Sequence, residues 1–598
     1  MSIGQRGLRR LAPAGLVFLT LLAYLPALGN GFVWDDDEYV THSQFIHDLD
    51  GLRRSWTEPA ATLQYYPLVR TSFWLEHKLW GLTPTGYHAT NILLHALNAL
   101  LLWVLLRRLQ VPGAWLAAAL FAVHPVQVES AGWITERKNV LSAAFYLSST
   151  ILACRFLGID TPVAREERRP WRAYALACLL YGLALLSKTV TVTLPAALVV
   201  LLWWRRPAFG RRELGRVAWF LPMLAIGAAL GALTVWLERT AVGASGQAWA
   251  LTPVDRVLVA GRALWFYLGK LVFPYPLAFF YRRWTVDSHQ AVQFVWPAAF
   301  FALGIALFLM RRRLGKGPLA ALLLFAGTLV PALGFFDVYP QRYSFVADHF
   351  QYLASAAIFA LAAAAAVVCC QRLHVPAVPL DGTPIPSRAL LFRVGLPGAV
   401  LFTLVLLSAQ HNLAFESRLT LWKDTVAKTP SSWTAQNNLG QALLARERYD
   451  EAETHLEAAI RLSPGVEAGK SHMNLGIIHE RRGEMKEAEE HLRLALKMDP
   501  TSFTILVNAG SFFARRGQYT QALALYRRAA AAKPTSPDPF VGAGHVLAEL
   551  GERTSAEQFY RRALDLDPRS EQARIGLSDL ARSAAGQPAR PEESARPR

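Results

Sequence analysis

Residues 11–39 read LAPAGLVFLTLLAYLPALGNGFVWDDDEY, so an apolar run long enough to cross a bilayer leads directly into an acidic stretch. The four consecutive carboxylates of Asp35 to Glu38 repel one another unless a cation, basic side chains, a phosphate-bearing partner or a raised pKa offsets the repulsion. A lone acidic run is usually a solvated turn. We interpret the apolar run as a first spanning helix. The alternative, a signal peptide, would export the acidic stretch equally.

The composition places most of the chain in a membrane. Of 598 residues, 53% are hydrophobic and only 18% are charged, which is unlike an ordinary soluble protein. The net charge of +18 does not indicate nucleic acid, because the arginines cluster at the ends of apolar runs. The four cysteines fall within or at the ends of apolar segments and show neither a disulfide framework nor zinc spacing.

Hydropathy predicts eleven membrane spans. The first covers residues 11–28, and the others centre on 89–106, 113–127, 139–157, 173–187, 189–204, 216–236, 292–310, 317–336, 352–370 and 394–411. Lys and Arg concentrate on alternate connections, which are therefore cytoplasmic. This pattern requires residues 255–272 to lie along the outer surface without crossing. The amino terminus is then inside, and everything after Asn412 is outside.

The outer part of the chain is periodic. Successive prolines at 430, 464, 500, 534 and 568 are separated by 34, 36, 34 and 34 residues, and Gly and Ala positions repeat in step. This period is typical of tetratricopeptide helix pairs, which stack into a superhelix with a groove suited to extended peptide. We expect a membrane domain at 1–412, about four repeats plus a cap at 413–582, and a disordered tail at 583–598.

A short loop after the third predicted span carries His124, Glu129, Glu136, Arg137 and Lys138. The loop is too short to fold alone. Ionisable groups at membrane depth are costly and therefore tend to be functional. The loop is accordingly a candidate site.

Other outer residues have two explanations each. Lys188 lies between two apolar runs, where snorkelling to the interface is an equal alternative. Arg342, Asp348, His349 and Tyr352 precede the tenth span, where a cation would meet a lipid-linked phosphate or only mark the interface. The second span has a polar face, formed by Asn91, His95 and Asn98, which hydrogen bonding between helices explains as well.

With these residues in view, nearly the whole chain resembles the transmembrane and tetratricopeptide repeat family of glycosyltransferase-C-type enzymes. The matching stretches are Phe32–Asp36, Tyr65–Leu68, Gly86–His88 with Asn91 and His95, His124–Asn139, Gly327–Pro331 and Ala347–Leu353. The segment His124–Asn139 is the most specific of them. The resemblance implies an all-α fold, in which a polytopic glycosyltransferase-C-like domain is followed by a tetratricopeptide repeat α-solenoid.

Members of the family resemble enzymes that move a hexose, mannose in the animal members, from a polyprenyl-phosphate carrier to Ser or Thr of an exported protein. The resemblance therefore implies an inverting glycosyltransferase of the protein O-mannosyltransferase type, with Asp35 or Asp36 as the base for the acceptor hydroxyl. The candidate cations for the departing phosphate are Arg137, Lys138, Lys188 and Arg342. The remaining residues of the donor site would be His124, Glu129, Glu136, Asp348, His349 and Tyr352.

The chain departs from the family pattern at two motifs. Relatives carry Arg immediately before the Pro that corresponds to Pro67, whereas here Tyr66 takes that position and Arg70 follows later. Relatives also carry Ala-Asp-Arg-Tyr before the late outer span, and here His349 replaces that Arg. Since His is only fractionally charged at neutral pH, the resemblance leaves open whether this position contacts the phosphate.

The expected partners are a polyprenyl-phosphate-linked sugar, an exported acceptor protein bound by the repeats, and membrane lipid, with no nucleic acid. Whether Asp36 and Glu129 bind Mg²⁺ or Mn²⁺ is left open, because no residue spacing dictates such a site. Short cytoplasmic loops and an Ala-, Leu- and Arg-rich composition favour a bacterial inner membrane with the repeats in the periplasm. Two other functions fit the same sequence: a non-catalytic, membrane-anchored scaffold for envelope protein assembly, and a transporter.

Overall fold

The computed structural model describes residues 3–61, 64–160, 170–206, 209–242, 249–378 and 385–584. The chain forms two compact units, residues 1–429 and 430–598. Helices dominate both, and no strand occurs among the described residues, in agreement with the all-α prediction. The first unit includes a helix, Arg418–Lys428, that follows the expected boundary at residue 412.

Helices form most of the described part of the first unit. Its α-helices are Ile3–Tyr24, Leu49–Thr57, Pro67–Trp80, Pro84–Arg108, Ala114–Val123, Val128–Gly132, Arg137–Leu157, Trp171–Leu185, Leu194–Arg205, Arg211–Val217, Leu221–Leu237, Pro253–Val272, Val295–Leu309, Arg311–Leu314, Gly317–Leu329, Ser355–Arg372, Ser387–Ala389, Leu396–Asn412 and Arg418–Lys428.

Seven helical segments within the described residues are long and apolar enough to cross a membrane. They are Leu11–Gly29, Pro84–Arg108, Ile134–Leu157, Glu213–Thr240, Ala291–Leu309, Ser355–Arg372 and Ser387–Phe415. Four shorter apolar segments coincide with the remaining predicted spans, namely Ala114–Val123, Trp171–Leu185, Thr189–Arg205 and Gly317–Ala332. The helix Pro253–Val272 is not among the spanning segments, as the charge pattern required.

The polar face of Pro84–Arg108 joins neighbouring segments. Asn91 Nδ2 donates to the Trp133 carbonyl at 2.9 Å, and Asn98 Nδ2 donates to the Val140 carbonyl at 2.8 Å. His95 lies between the Tyr352 hydroxyl, at 2.7 Å, and the Ala122 carbonyl, at 3.0 Å. These bonds fix the loop after the third span against the second span, so this face has the packing role that was the alternative explanation.

Up to residue 584, the second unit forms four helix pairs and one further helix. The helices are Trp433–Leu444, Tyr449–Leu462, Ala468–Arg482, Met485–Met498, Phe503–Arg515, Tyr519–Ala532, Asp538–Glu549, Arg553–Leu566 and Glu571–Ala584. The paired helices approach closely where the repeating glycines lie: a Cβ on Gly440 would come within 2.6 Å of the Leu456 side chain. The predicted disordered tail lies outside the described residues from 585 onward.

Candidate active site

Three segments that are distant in sequence meet at one end of the helical unit. They are the acidic stretch 31–39, the loop 124–139 and the segment 347–352. Thr135 donates to Asp36 from both its backbone nitrogen, at 2.8 Å, and its hydroxyl. Asn139 Nδ2 donates to the His349 carbonyl at 2.9 Å. The segments predicted on the outer side of the membrane therefore form a single polar site.

Asp36 serves as the structural link of this site. It is completely buried, and its second carboxylate oxygen accepts a hydrogen bond from the Val33 nitrogen at 2.8 Å. Burial raises the pKa of Asp36 to about 7, and the hydrogen bonds from Thr135 and Val33 oppose this rise. With three protein donors on two oxygens, Asp36 closes the acidic turn against the loop and has little capacity left for a substrate proton.

Asp35 differs from its neighbour in both environment and bonding. Its side chain is partly exposed and makes no hydrogen bond or ion pair within the described part of the chain. Burial raises the pKa of Asp35 to about 6, and the ammonium of Lys138 acts in the opposite direction. Glu136 and His349 also act on this carboxyl, so Asp35 faces the ionic groups of both other segments.

Two lysines share one carboxylate beside Asp35. Glu136 accepts the Lys138 ammonium at 3.2 Å and the Lys188 ammonium at 2.9 Å. Lys188 also donates to Asn139 Oδ1 at 2.8 Å, and all of these side chains are buried or nearly so. Within this trio, two positive charges face one negative charge. The surplus positive charge favours a nearby anion. The carboxylate of Asp35 is close enough to Lys138 to supply a second negative charge.

Glu129 and His349 form a carboxylate–imidazole pair. Glu129 accepts the His349 backbone nitrogen at 3.1 Å and its Nδ1 at 2.7 Å. This arrangement fixes Nδ1 as the donor toward Glu129 and leaves Nε2 as the ring atom for another partner. The imidazole is mostly buried, with its side chain 13% exposed.

The structure directs three predicted site residues to packing instead. Arg137 is completely buried, pairs with both oxygens of Glu76 at 2.9 and 3.0 Å, and also donates to the Tyr87 carbonyl. His124 Nε2 donates to the Leu271 carbonyl at 3.1 Å, and burial lowers the pKa of His124 to about 4, which keeps it neutral. The Tyr352 hydroxyl lies 2.7 Å from His95 Nδ1 on the polar face of Pro84–Arg108, so it also has a packing role.

The last two predicted residues lie in the outer loop that precedes Ser355–Arg372. Asp348 is buried and accepts the Tyr281 hydroxyl at 2.8 Å. Burial raises the pKa of Asp348 to about 8, and the charge of Glu129 adds to the rise. Arg342 ends the short helix Tyr339–Arg342 and is partly buried.

The two carboxylates considered for a metal ion are both hydrogen-bonded within the protein. Asp36 accepts three hydrogen bonds, and each oxygen of Glu129 accepts one from His349. Across the described ranges, no group of three or more His, Cys, Asp or Glu side chains is arranged to hold a metal ion.

The packing roles of two residues in this region were not predicted from the sequence. Trp34 adopts a left-handed backbone with φ of 49°, which is rare for a bulky residue, and its ring packs against Phe280 and Trp422. Arg70 is buried between the rings of Tyr39 and Phe45, at 4.8 and 4.7 Å. Both residues hold the shape of the acidic turn from one side.

The acidic turn is also bound to the end of the first unit. Asp37 forms an ion pair with Arg418, and the Gly31 nitrogen donates to the Glu416 carbonyl at 3.0 Å. The third acid of the stretch is therefore committed to this contact, which separates it from Asp35.

Comparison with known proteins confirms the class of protein that this architecture defines. Family models described as tetratricopeptide repeat match residues 433–501, 473–537 and 513–580. The chain is thus a multi-pass membrane protein that carries tetratricopeptide repeats. The solved structure described as "YrrB: a TPR protein with an unusual peptide-binding site" matches at 20% identity over 36% of this chain and 98% of that one, with a TM-score of 0.23.

The curated relatives are named protein O-mannosyl-transferases, which confirms the resemblance inferred from the sequence. F38B6.6 of Caenorhabditis elegans is 32% identical over 151 residues, which cover 23% of this chain and 22% of that protein. Tmtc1 of Drosophila melanogaster is 30% identical, over 30% of this chain and 21% of that protein. TMTC3 of Homo sapiens is 27% identical, over 30% and 20%. The matched region spans about a fifth of each relative's length.

Proposed function

We propose that this protein is a membrane glycosyltransferase that moves a hexose, mannose by analogy with the names of its relatives, from a polyprenyl-phosphate carrier to Ser or Thr hydroxyls of an exported protein. The observation that carries the proposal is the placement of Asp35. It is a partly exposed carboxylate that makes no hydrogen bond to the described part of the chain, next to a buried lysine pair with surplus positive charge. The names of the relatives support the same reaction class.

Asp35 is the base in this proposal. It takes the proton from the acceptor hydroxyl as the hydroxyl oxygen attacks the anomeric carbon. The bond between that carbon and the carrier phosphate breaks, and its electron pair leaves with the phosphate. Because one displacement occurs on one face of the sugar, the anomeric configuration inverts.

The cations of the site receive the phosphate. The leaving oxygen gains negative charge in the transition state, and Lys138 and the His349 imidazole are positioned to stabilise it. Glu136 and Glu129 orient these two groups through the ion pairs described above. Asp36, Arg137, His124 and Tyr352 build the frame, and no step uses a metal ion.

The repeats are assigned to the acceptor protein. Stacked helix pairs present a continuous groove that suits an extended chain. In this proposal the protein lies in a bacterial inner membrane. The active site faces away from the cytoplasm, and the repeats lie in the periplasm.

The test is sugar transfer by the purified full chain, using radiolabelled polyprenyl-phosphate-mannose and Ser- and Thr-containing peptides. We expect Asp35→Asn to lose transfer by about 10²–10⁴-fold, as removal of a general base does. Asp50→Asn is the control, since it removes an exposed acid that pairs with Arg53 on the helix Leu49–Thr57, and it should retain transfer. If Asp35→Asn transferred sugar like the wild type while partner proteins were still captured, a non-catalytic scaffold would be the better explanation.

A further inference from the structure

Two histidines meet between the helices of the second repeat. His472 lies on Ala468–Arg482 and His491 on Met485–Met498, and their Nδ1 atoms are 3.0 Å apart. A third imidazole, His479, stacks on His491 with ring centroids 5.1 Å apart, and its own Nδ1 contacts Glu484. The cluster is distant in sequence from every residue of the candidate active site.

The same position in the other repeats shows that packing does not require this pair. The repeating glycines 440, 476, 510 and 544 are separated by 36, 34 and 34 residues. Counted by these spacings, the equivalent pairs in the other repeats are Gln436–His455, Leu506–Leu525 and Phe540–Phe559. In the first repeat, His455 Nδ1 contacts Gln436 Oε1 at 2.7 Å. In the third, both leucines belong to a buried apolar cluster, and in the fourth the two rings lie 6.2 Å apart. Only the second repeat places two imidazoles there.

We propose that His472 and His491 bind a divalent transition metal ion such as Zn²⁺ between the two helices. Zn²⁺ binds imidazole nitrogen at about 2.0–2.1 Å, so two ligands on one tetrahedral ion lie about 3.3 Å apart, close to the observed spacing. The pair supplies two ligands, and water or a bound protein completes the coordination. Imidazole ligands suit zinc, copper and nickel.

The surroundings favour a cation at this position. His472 is only 9% exposed, and the Nδ1 atoms of His472 and His491 face each other between the two helices. The carboxylates of Glu453 and Glu490 also act on His491. The Glu484 contact of His479 resembles the carboxylate–histidine arrangement found around metal ligands, with His479 beside the pair.

The chain itself supplies the matched variants. His472→Gln reproduces the glutamine–histidine pair of the first repeat, so it removes one metal ligand and keeps a side-chain pair that this fold already accommodates. His455→Leu is the control, because it removes an imidazole from the equivalent position of the first repeat and leaves the proposed site intact.

The experiment is equilibrium dialysis of the purified full chain, carrying an affinity tag without histidine, against Zn²⁺. A second imidazole pair, His47 and His77, has ring nitrogens 3.2 Å apart and is unchanged in every variant. We therefore expect the wild type and His455→Leu to bind one more equivalent of Zn²⁺ than His472→Gln, in which binding at the proposed site is at least tenfold weaker. Zn²⁺ should also raise the temperature at which the repeats unfold in the wild type but not in His472→Gln. Circular dichroism without zinc verifies that each variant is folded.

Two outcomes would overturn the proposal. If the wild type took up no saturable zinc, the two rings would form a hydrogen-bonded imidazole pair only. If His472→Gln bound zinc like the wild type, the ion would be held elsewhere. Neither outcome affects the proposed transferase reaction, because no residue of the cluster takes part in it.

Discussion

Replacing Asp36 and Asp35 separately by Asn should separate folding from chemistry. In Asp36→Asn, the amide oxygen can still accept from Thr135, but the amide nitrogen then faces the Val33 N–H, donor against donor. A buried donor without a partner costs about 1–3 kcal/mol. Because burial raises the pKa of Asp36 from 3.8 to about 7, ionisation of the wild-type carboxyl itself lowers stability as pH rises between these two values. We therefore expect Asp36→Asn to lower the free energy of unfolding by about 1–3 kcal/mol near pH 4, and by less as pH rises toward 7.

Asp35→Asn should lose sugar transfer without losing stability. The side chain has no hydrogen bond to lose within the described part of the chain, and burial raises the pKa of Asp35 to about 6 from its ordinary value of 3.8. A carboxyl with a raised pKa binds more protons in the folded than in the unfolded chain, so it lowers stability as pH rises between these two values. Asp35→Asn removes this effect. Its stability at pH 7 should equal or exceed that of the wild type, while sugar transfer is lost.

The assay combines unfolding of the full chain in detergent with transfer of labelled sugar to peptide. Wild-type kcat/KM should rise with pH through about 6, as the Asp35 carboxyl loses its proton. Thr135→Val is a control for the link, because it removes only the hydroxyl donor to Asp36. The reasoning is refuted if Asp36→Asn unfolds like the wild type, or if Asp35→Asn is the less stable of the two variants.

Further predictions concern the cations, the metal and the topology. In His349→Arg, a guanidinium that is always charged replaces the imidazole, so the KM for the polyprenyl-phosphate donor should fall; an unchanged KM would remove His349 from the phosphate site. Arg137→Gln should destabilise the full chain by about 3–5 kcal/mol, since it leaves the buried Glu76 carboxylate unpaired. Adding Glu76→Gln should restore part of this loss, and a double-mutant cycle measures the recovery. A chelator should leave transfer unchanged, and a return of activity that depends on added Mg²⁺ or Mn²⁺ would contradict this. Glu38→Cys should react with a membrane-impermeant maleimide from the non-cytoplasmic side, and labelling only after the membrane is opened would reverse the topology.

The sequence was sufficient to predict the architecture. Apolar runs and a 34-residue period depend on composition and spacing, so they indicated the spanning helices and the repeats without knowledge of contacts. The arginine pattern likewise predicted that Pro253–Val272 does not cross, and this helix is not among the candidate spans in the described residues. These features are local or periodic, which is why they can be recognised in a single chain.

The division of roles within the site could not be predicted in the same way. Arg137 and Lys138 are adjacent in sequence, but neighbouring residues on a helix point about 100° apart, so one reaches Glu76 and the other Glu136. Asp35 and Asp36 differ in the same manner. Only the partner segment determines which of two adjacent charges is consumed by packing, and that segment lies 99 residues away in the case of Asp36 and Thr135.

The attachment of the acidic turn to Arg418 and Glu416 has a practical consequence for dissecting the protein. A truncation that stops at the end of the last spanning segment, near residue 412, would delete the residues that brace Gly31 and Asp37. Such a fragment would be inactive because the acidic turn has lost its support. The loss of activity would then be attributed wrongly to the missing repeats. A cut after Thr429 preserves the brace and makes the dependence on the repeats a fair question.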